Sequence, residues 1–337
     1  MPAPSPESDP GSRLTHELGS AAYDGGDMHL GTNYAAEIGT IADGQVAELE
    51  ILHTLDPDQV SGQAVKKTLG LGFWIASSWV GLVTLLAILA PWLPIKDPNF
   101  QDYTALKQGP SSTYWLGTDD LGRDMLSRLI WGARVSLTVG VTAILFGLLI
   151  GVTVGVIAGF FKGRTESVLM GAMDVLLAFP ALLLALAIIT FTDNHSVWNI
   201  SLAIGIVSIA PIARLVRAST LVFTEREFVL ASRTLGAGNW RIIVKEILPN
   251  VMLPVLSFAI IGVAIAIVAE GGLAFLGLSV PPPQATWGSM INEGRNFLAT
   301  NPMISLIPCF VMFLTVLSLN LAGDRVREYF DVKEGGL

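Results

Sequence analysis

One cysteine, Cys309, occurs in 337 residues, so no disulfide can form within the chain and redox chemistry has nothing to act with. Its setting in an apolar run predicts a buried small hydrophobe. Histidine is almost as scarce: His16, His29 and His53 lie in the polar N-terminal stretch and His195 between two apolar runs, with no metal-ligand spacing among them. A serine nucleophile in the apolar region would have only His195 to call on, so no catalytic residue and no metal site are assigned. No Gly-x4-Gly-Lys-Ser/Thr sequence occurs, which removes the P-loop way of holding a triphosphate. The chain is expected to bind no ATP or other cofactor of its own and to be no enzyme. Charge is thin as well, at 14% of residues against 52% hydrophobic, and mean hydropathy is +0.59. That is the composition of a bilayer protein.

The charge that exists is unevenly placed. Residues 1–65 carry 11 acidic side chains and one basic one, Arg13, a net of −10, while residues 66–337 carry a net of +2. An acidic N-terminal region is a poor ligand for anionic lipid or nucleic acid, and no nucleic-acid partner is expected. The opening MPAPSPESDPGSR lacks the basic start and apolar run of a secretory signal. Residues 1–33 are rich in Pro, Gly, Ser and Asp and cannot bury enough apolar surface to offset ordering. The division expected is therefore a mostly disordered acidic tail over 1–65, a transmembrane domain over 66–330 and a short C-terminal tail over 331–337. Within the first part, Val46 to Leu55 could form a short element, and Asp56-Pro57 reads as an N-cap followed by proline at the first helical position.

Crossing the hydrocarbon core takes roughly 20 mostly apolar residues. Six segments meet that: 69–93, 135–161, 168–191, 197–216, 251–278 and 303–322. The fold class predicted is an all-α membrane protein with about six transmembrane helices, the third and fourth forming an antiparallel pair around a tight turn at Asp193, Asn194 and His195. Placing the N-terminus inside leaves 14 lysines and arginines on the cytoplasmic side and 6 outside. The positive-inside rule then puts both termini in the cytoplasm, as expected for a multi-pass protein of a bacterial plasma membrane.

Within the spans, Gly147, Gly151, Gly155, Gly159 and Gly163 recur every fourth residue on one helical face. Such a stripe lets two backbones approach closely, which in lipid substitutes for the missing hydrophobic drive. Helix packing, within or between subunits, is the expected role; a face that slides during transport is the other. Asp174 and Glu270 are ionisable groups inside apolar segments, costly there and hence candidates for lining a path, or else paired with a neighbouring helix.

The segment 223–250, FTEREFVLASRTLGAGNWRIIVKEILPN, alternates charged and apolar residues at helical spacing on both sides of Gly236-Ala237-Gly238. It predicts two short helices, broken by glycine and stopped before Pro249. A protruding amphipathic hairpin of this kind is suited to docking into another protein.

Three stretches together resemble the inner-membrane permeases of ABC importers, in particular the dipeptide, oligopeptide and nickel group. In that group a cytoplasmic loop reads Glu-Ala-Ala, three residues, Gly, and later Leu-Pro. Here Leu230-Ala231-Ser232, Gly236 and Leu248-Pro249 fall at those places, so the glutamate and second alanine are replaced. The group's Gly-Thr-Asp-x-x-Gly-Arg-Asp signature matches Gly117, Thr118, Asp119, Gly122, Arg123 and Asp124, and the run from Glu270 to Ile291 resembles its approach to an outer Trp-Gly turn. The likeness spans about Lys66 to Tyr329. It implies a type I importer permease fold and half of a translocation pathway for short peptides, with nickel or glutathione as alternative cargo. It implies a second, homologous permease subunit, two ATPase subunits carrying ATP and Mg, an extracytoplasmic substrate-binding protein, and contact with membrane lipid. The coupling to the ATPases would run through Glu227, Leu230, Ala231, Ser232, Gly236, Ala237, Leu248 and Pro249.

Overall fold

The computed structural model describes residues 70–192 and 195–334. Expectations for the acidic tail, for the element around Asp56-Pro57 and for the turn at Asp193 and Asn194 lie outside the described residues. Ten helices follow in order, with no strand among the described residues. They are α1 (Leu71–Leu89), α2 (Met125–Phe161), α3 (Gly163–Ala178), α4 (Ala181–Thr192), α5 (Val197–Thr224), α6 (Glu227–Thr234), α7 (Asn239–Ile242), α8 (Leu248–Phe275), α9 (Trp287–Gly294) and α10 (Met303–Glu334). Five are long and apolar enough to cross a membrane, and six if α3 and α4 count as one bent span.

Residues that dislike helix interiors set the ends. Asp124 accepts a hydrogen bond from the Ser127 N–H at 2.9 Å, and Ser196 accepts from Asn199 at 3.3 Å, so α2 and α5 begin on side-chain caps. Thr286 and Ser289 bond reciprocally in a capping box at the start of α9. The third span is not straight. Phe179 is extended (φ −88°, ψ 136°), as the residue before a proline tends to be, and Pro180 leaves α3 and α4 at 88° to each other.

Four differences from the sequence reading have local causes. The Asp124 cap starts α2 ten residues earlier than the apolar run from Val135, carrying Arg128 and Arg134 onto the helix. Pro249 does not stop the second hairpin helix: α7 continues through a π-turn over Ile243–Ile247 into α8, and the widened turn tolerates a residue lacking an N–H. The last helix runs to Glu334, well past the end of its apolar run at Ala322. Cys309 is exposed, not buried, because the outer face of a span is itself apolar and burial no longer sorts by polarity.

The long contact that organises the bundle is α2 against α5. A Cβ at Gly151 would lie 2.8 Å from Ile212, at Gly155 2.6 Å from the Ala213 carbonyl oxygen and Val216, and at Gly159 2.7 Å from Thr220. Gly147 meets Ser208 at 3.0 Å on the same line. Gly163 departs from the stripe: it sits past the end of α2 with no atom within 4 Å of its Cβ position. Gly155→Val is therefore expected to separate the two helices and cost about 1–3 kcal/mol or more by overpacking. Gly81→Val, where nothing lies within 4 Å, is the control, and the two are compared by thermal unfolding in detergent.

Candidate functional site

Two ends of the bundle carry the sequence-predicted groups. At one end, α6 and α7 make the glycine-broken hairpin. Its foot is apolar: Val229 of α6 and Ile242 of α7 are fully buried with Val156, Phe160, Val216, Phe223, Ile243 and Ile247. The helix has Glu227 in its first turn and Arg233 in its last, the arrangement that suits the helix dipole. Gly236 adopts φ +78°, its N–H donating to the Arg233 carbonyl at 2.9 Å while Ala237 N–H donates to Ser232 at 3.0 Å. That is a glycine C-cap. No atom comes within 4 Å of a Cβ at Gly236, so the backbone angle alone requires glycine here.

The tip points away from the bundle. Leu235 is 88% exposed and Trp240 76%, while Leu230 and Ala231 are also exposed and Ser232 is half-buried against Glu246, its hydroxyl 3.3 Å from the carboxylate. Leu230 borders a depression of about 260 Å³ shared with Phe160, Lys162, Thr224, Glu225 and Arg233. Lys162 pairs with Glu225 at 3.2 Å, tying the α2–α3 turn to the hairpin root. Leu248 is half-buried and Pro249 exposed, both on the continuous helix that leaves the hairpin. An exposed tryptophan held on a rigid foot is a residue type that anchors protein interfaces.

At the opposite end the signature folds into a compact knot. Thr118 and Asp124 face each other in a short antiparallel bridge, and the Thr118 hydroxyl donates to the Ala105 carbonyl. Gly122 has φ +75°, and a Cβ there would stand 2.0 Å from the Asp102 carbonyl oxygen. Gly117 has φ +81°. Asp119 accepts from the N–H groups of Leu121 and Arg123, both at 2.9 Å, and from Arg123 Nε at 2.6 Å. Arg128 Nε lies 3.3 Å from the same carboxylate. Arg123 and Arg128 each donate a second N–H to Glu293 of α9, at 2.8 and 3.0 Å. Nearby, the hydroxyls of Thr104 and Tyr114 hold the Asp102 carboxyl below its usual range.

The carboxylates of Asp119, Asp120 and Glu293 converge within 4.8 Å, and the guanidinium groups of Arg123 and Arg128 pair with them, offsetting two of the three charges. Glu293 and Arg128 were missed by motif reading, since neither belongs to the signature. The only sequence signal for them was charge near the ends of apolar segments.

The two span carboxylates have different surroundings. Glu270 is fully buried where α8, the 276–286 loop and α9 meet, and accepts from the Ser279 hydroxyl at 2.5 Å. Beside it α8 and α9 nearly touch, a Cβ on Gly288 falling 2.6 Å from Gly271 Cα. Trp287 is clamped by Ser136 and the Leu129 carbonyl, each at 3.1 Å. Asp174 instead lies open on α3 and pairs with Arg214 of α5 at 2.5 Å.

Comparison with known proteins places this geometry. The family described as binding-protein-dependent transport system inner membrane component matches residues 151–334. The glutathione transport system permease protein GsiD of Pectobacterium atrosepticum is 39% identical over 255 residues, 74% of this chain and 84% of that protein. GsiD of Escherichia coli O6:K15:H31 is 36% identical over 301 residues, 86% and 97% of the two chains. Among solved structures, an inward-facing MetNI methionine ABC transporter superposes with TM-score 0.51 at 20% identity, covering 61% of this chain and 97% of that one. The chain belongs to the inner-membrane permease subunits of binding-protein-dependent ABC importers.

Proposed function

We propose that this subunit forms half of the translocation path of an ATP-driven importer of short peptides, and that the α6–α7 hairpin is its mechanical link to the ATPases. The observation that carries the reading is the hairpin itself, with an apolar foot locked into the bundle and Leu235 and Trp240 presented outward at its tip. The chain holds no P-loop, so ATP and Mg belong to separate subunits. Two ATPases, a second, similar permease and an extracytoplasmic binding protein complete the assembly. The second permease would cover α3, which buries only Met173 among its 16 residues. The distribution of lysine and arginine supports a cytoplasmic hairpin and cytoplasmic termini, with the signature knot facing the binding protein. Glutathione is a tripeptide, and the relatives named for its transport make it the first cargo to try.

The test is uptake into proteoliposomes containing both permeases and the ATPases, with the binding protein outside and ATP inside. Labelled glutathione and dialanine are expected to accumulate only when ATP and binding protein are both present. Accumulation driven by an ion gradient without the ATPases would make the chain a secondary transporter instead.

A further inference from the structure

Arg134 immediately precedes the apolar run of α2, and Trp92-Leu93 closes that of α1. Its exposed side chain makes no ion pair among the described residues and lies over the Trp131 ring, 5.5 Å from the centroid. Tryptophan and arginine at the ends of apolar spans are the residues that meet lipid head groups.

Two depressions join at this guanidinium. One, of about 580 Å³, holds the charged groups Lys96, Asp97 and Arg134 between Pro91, Trp131 and Gln284. The other, of about 460 Å³, follows the seam of α1 and α2 and is lined by Ala87, Ile88, Trp92, Leu137 and Val141. Arg134 and Thr138 belong to both. The second depression offers little to a polar occupant, because Thr138 and Thr142 donate their hydroxyls to the Arg134 and Thr138 carbonyls at 2.7 and 2.6 Å. From Arg134 to Val141 it extends about 10 Å along the helix at 1.5 Å per residue.

A water-soluble anion would fill the first depression and leave the apolar one empty. An apolar protein segment would fill the second and bury an unpaired guanidinium, which is costly. An amphiphile with an anionic head and an acyl chain fills both. The arginine fork suits two phosphate oxygens, and basic pockets between membrane helices suit lipid head groups. Lys96 and Arg134 against Asp97 leave the charged lining at +1, the sign that favours an anionic lipid over a zwitterionic one.

We infer that Arg134 anchors the phosphodiester of an anionic phospholipid, one acyl chain of which lies in the α1–α2 groove past Leu137 towards Val141. The site is independent of the cargo the importer carries.

The full-length chain and the complete importer complex are each titrated in mild detergent with palmitoyl-oleoyl phosphatidylglycerol, and retained lipid is measured by native mass spectrometry. Binding is expected in both, with phosphatidylcholine of the same chains about fivefold weaker. Arg134→Gln should weaken phosphatidylglycerol binding about fivefold, the effect of one basic group beside an anionic lipid, and Arg134→Lys less. Val141→Trp, which fills the groove at a position 43% exposed, should weaken it about as much while leaving dihexanoyl phosphatidylglycerol within twofold. Arg295→Gln, removing a guanidinium that lies over Phe275 and lines neither depression, should change nothing. Thermal midpoints without lipid check that each variant is folded.

Equal affinity for the two head groups, or Arg134→Gln binding like Arg295→Gln, would overturn the assignment. So would full competition by glycerol 3-phosphate, which would make this a site for free phosphate, or loss of the lipid on assembly, which would give the groove to the second permease.

Discussion

Asp119→Asn is expected to loosen the signature end of the molecule more than any other single substitution in it. Asp119 is 3% exposed and receives two backbone N–H groups as well as Arg123 and Arg128. Asparagine keeps the shape and one acceptor oxygen but removes the charge, leaving two guanidiniums, 5% and 1% exposed, to share Glu293 and the more distant Asp120. Removing one partner of a buried charge pair costs about 3–5 kcal/mol, because the remaining charge stays desolvated. The knot joins the 94–124 segment to α2 and α9, so the loss should appear as a lower thermal midpoint in detergent and as faster protease cleavage within 94–124. Glu293→Gln should cost less, since that carboxylate is 30% exposed and water can replace it. The double substitution should fall short of the sum, because the residues share partners. An Asp119→Asn midpoint indistinguishable from the unmodified protein would mean that the network contributes nothing net.

Apolar run length located the five helices long enough to cross and the segment of the bent α3–α4 pair, because in lipid the backbone must satisfy itself and a helix is the only continuous way to do so. Span ends were less legible. The start of α2 depends on an Asp124 cap that lies eleven residues before the apolar run, and α7 passes into α8 because a π-turn absorbs Pro249. Hydropathy sees neither. The glycine spacing was visible in sequence, but its partner was not: that Gly155 meets Ala213 and Val216 depends on the pairing of α2 with α5. The signature residues could be found as a motif, whereas Glu293, 170 positions from Arg123, could be found only in three dimensions. For Asp174 and Glu270 the sequence offered the same argument, a carboxylate in an apolar segment. Geometry separates them, one enclosed by Ser279 and α9, the other open beside Arg214.

Gly236→Val is expected to abolish most transport while leaving the bundle folded. At φ +78° an L-residue with a branched Cβ is strained by about 1–2 kcal/mol or more, and nothing nearby would reward the side chain, since the space around it is empty. The strain is relieved by opening the cap formed by the Gly236 and Ala237 N–H groups, which swings Leu235 and Trp240 out of their relative placement. The foot, held by Val229 and Ile242, should stay seated, so abundance in the membrane and thermal midpoint change little. Uptake should fall at least tenfold, together with co-purification of the ATPase subunits. Gly236→Asn, the residue that best tolerates this backbone region after glycine, should retain most activity, which separates backbone geometry from loss of glycine as such. Leu230→Glu, placing a carboxylate in the first turn of α6 near its N-terminus, should be tolerated far better than Gly236→Val. If Gly236→Val assembles with the ATPases and transports at the unmodified rate, the hairpin is not the coupling element.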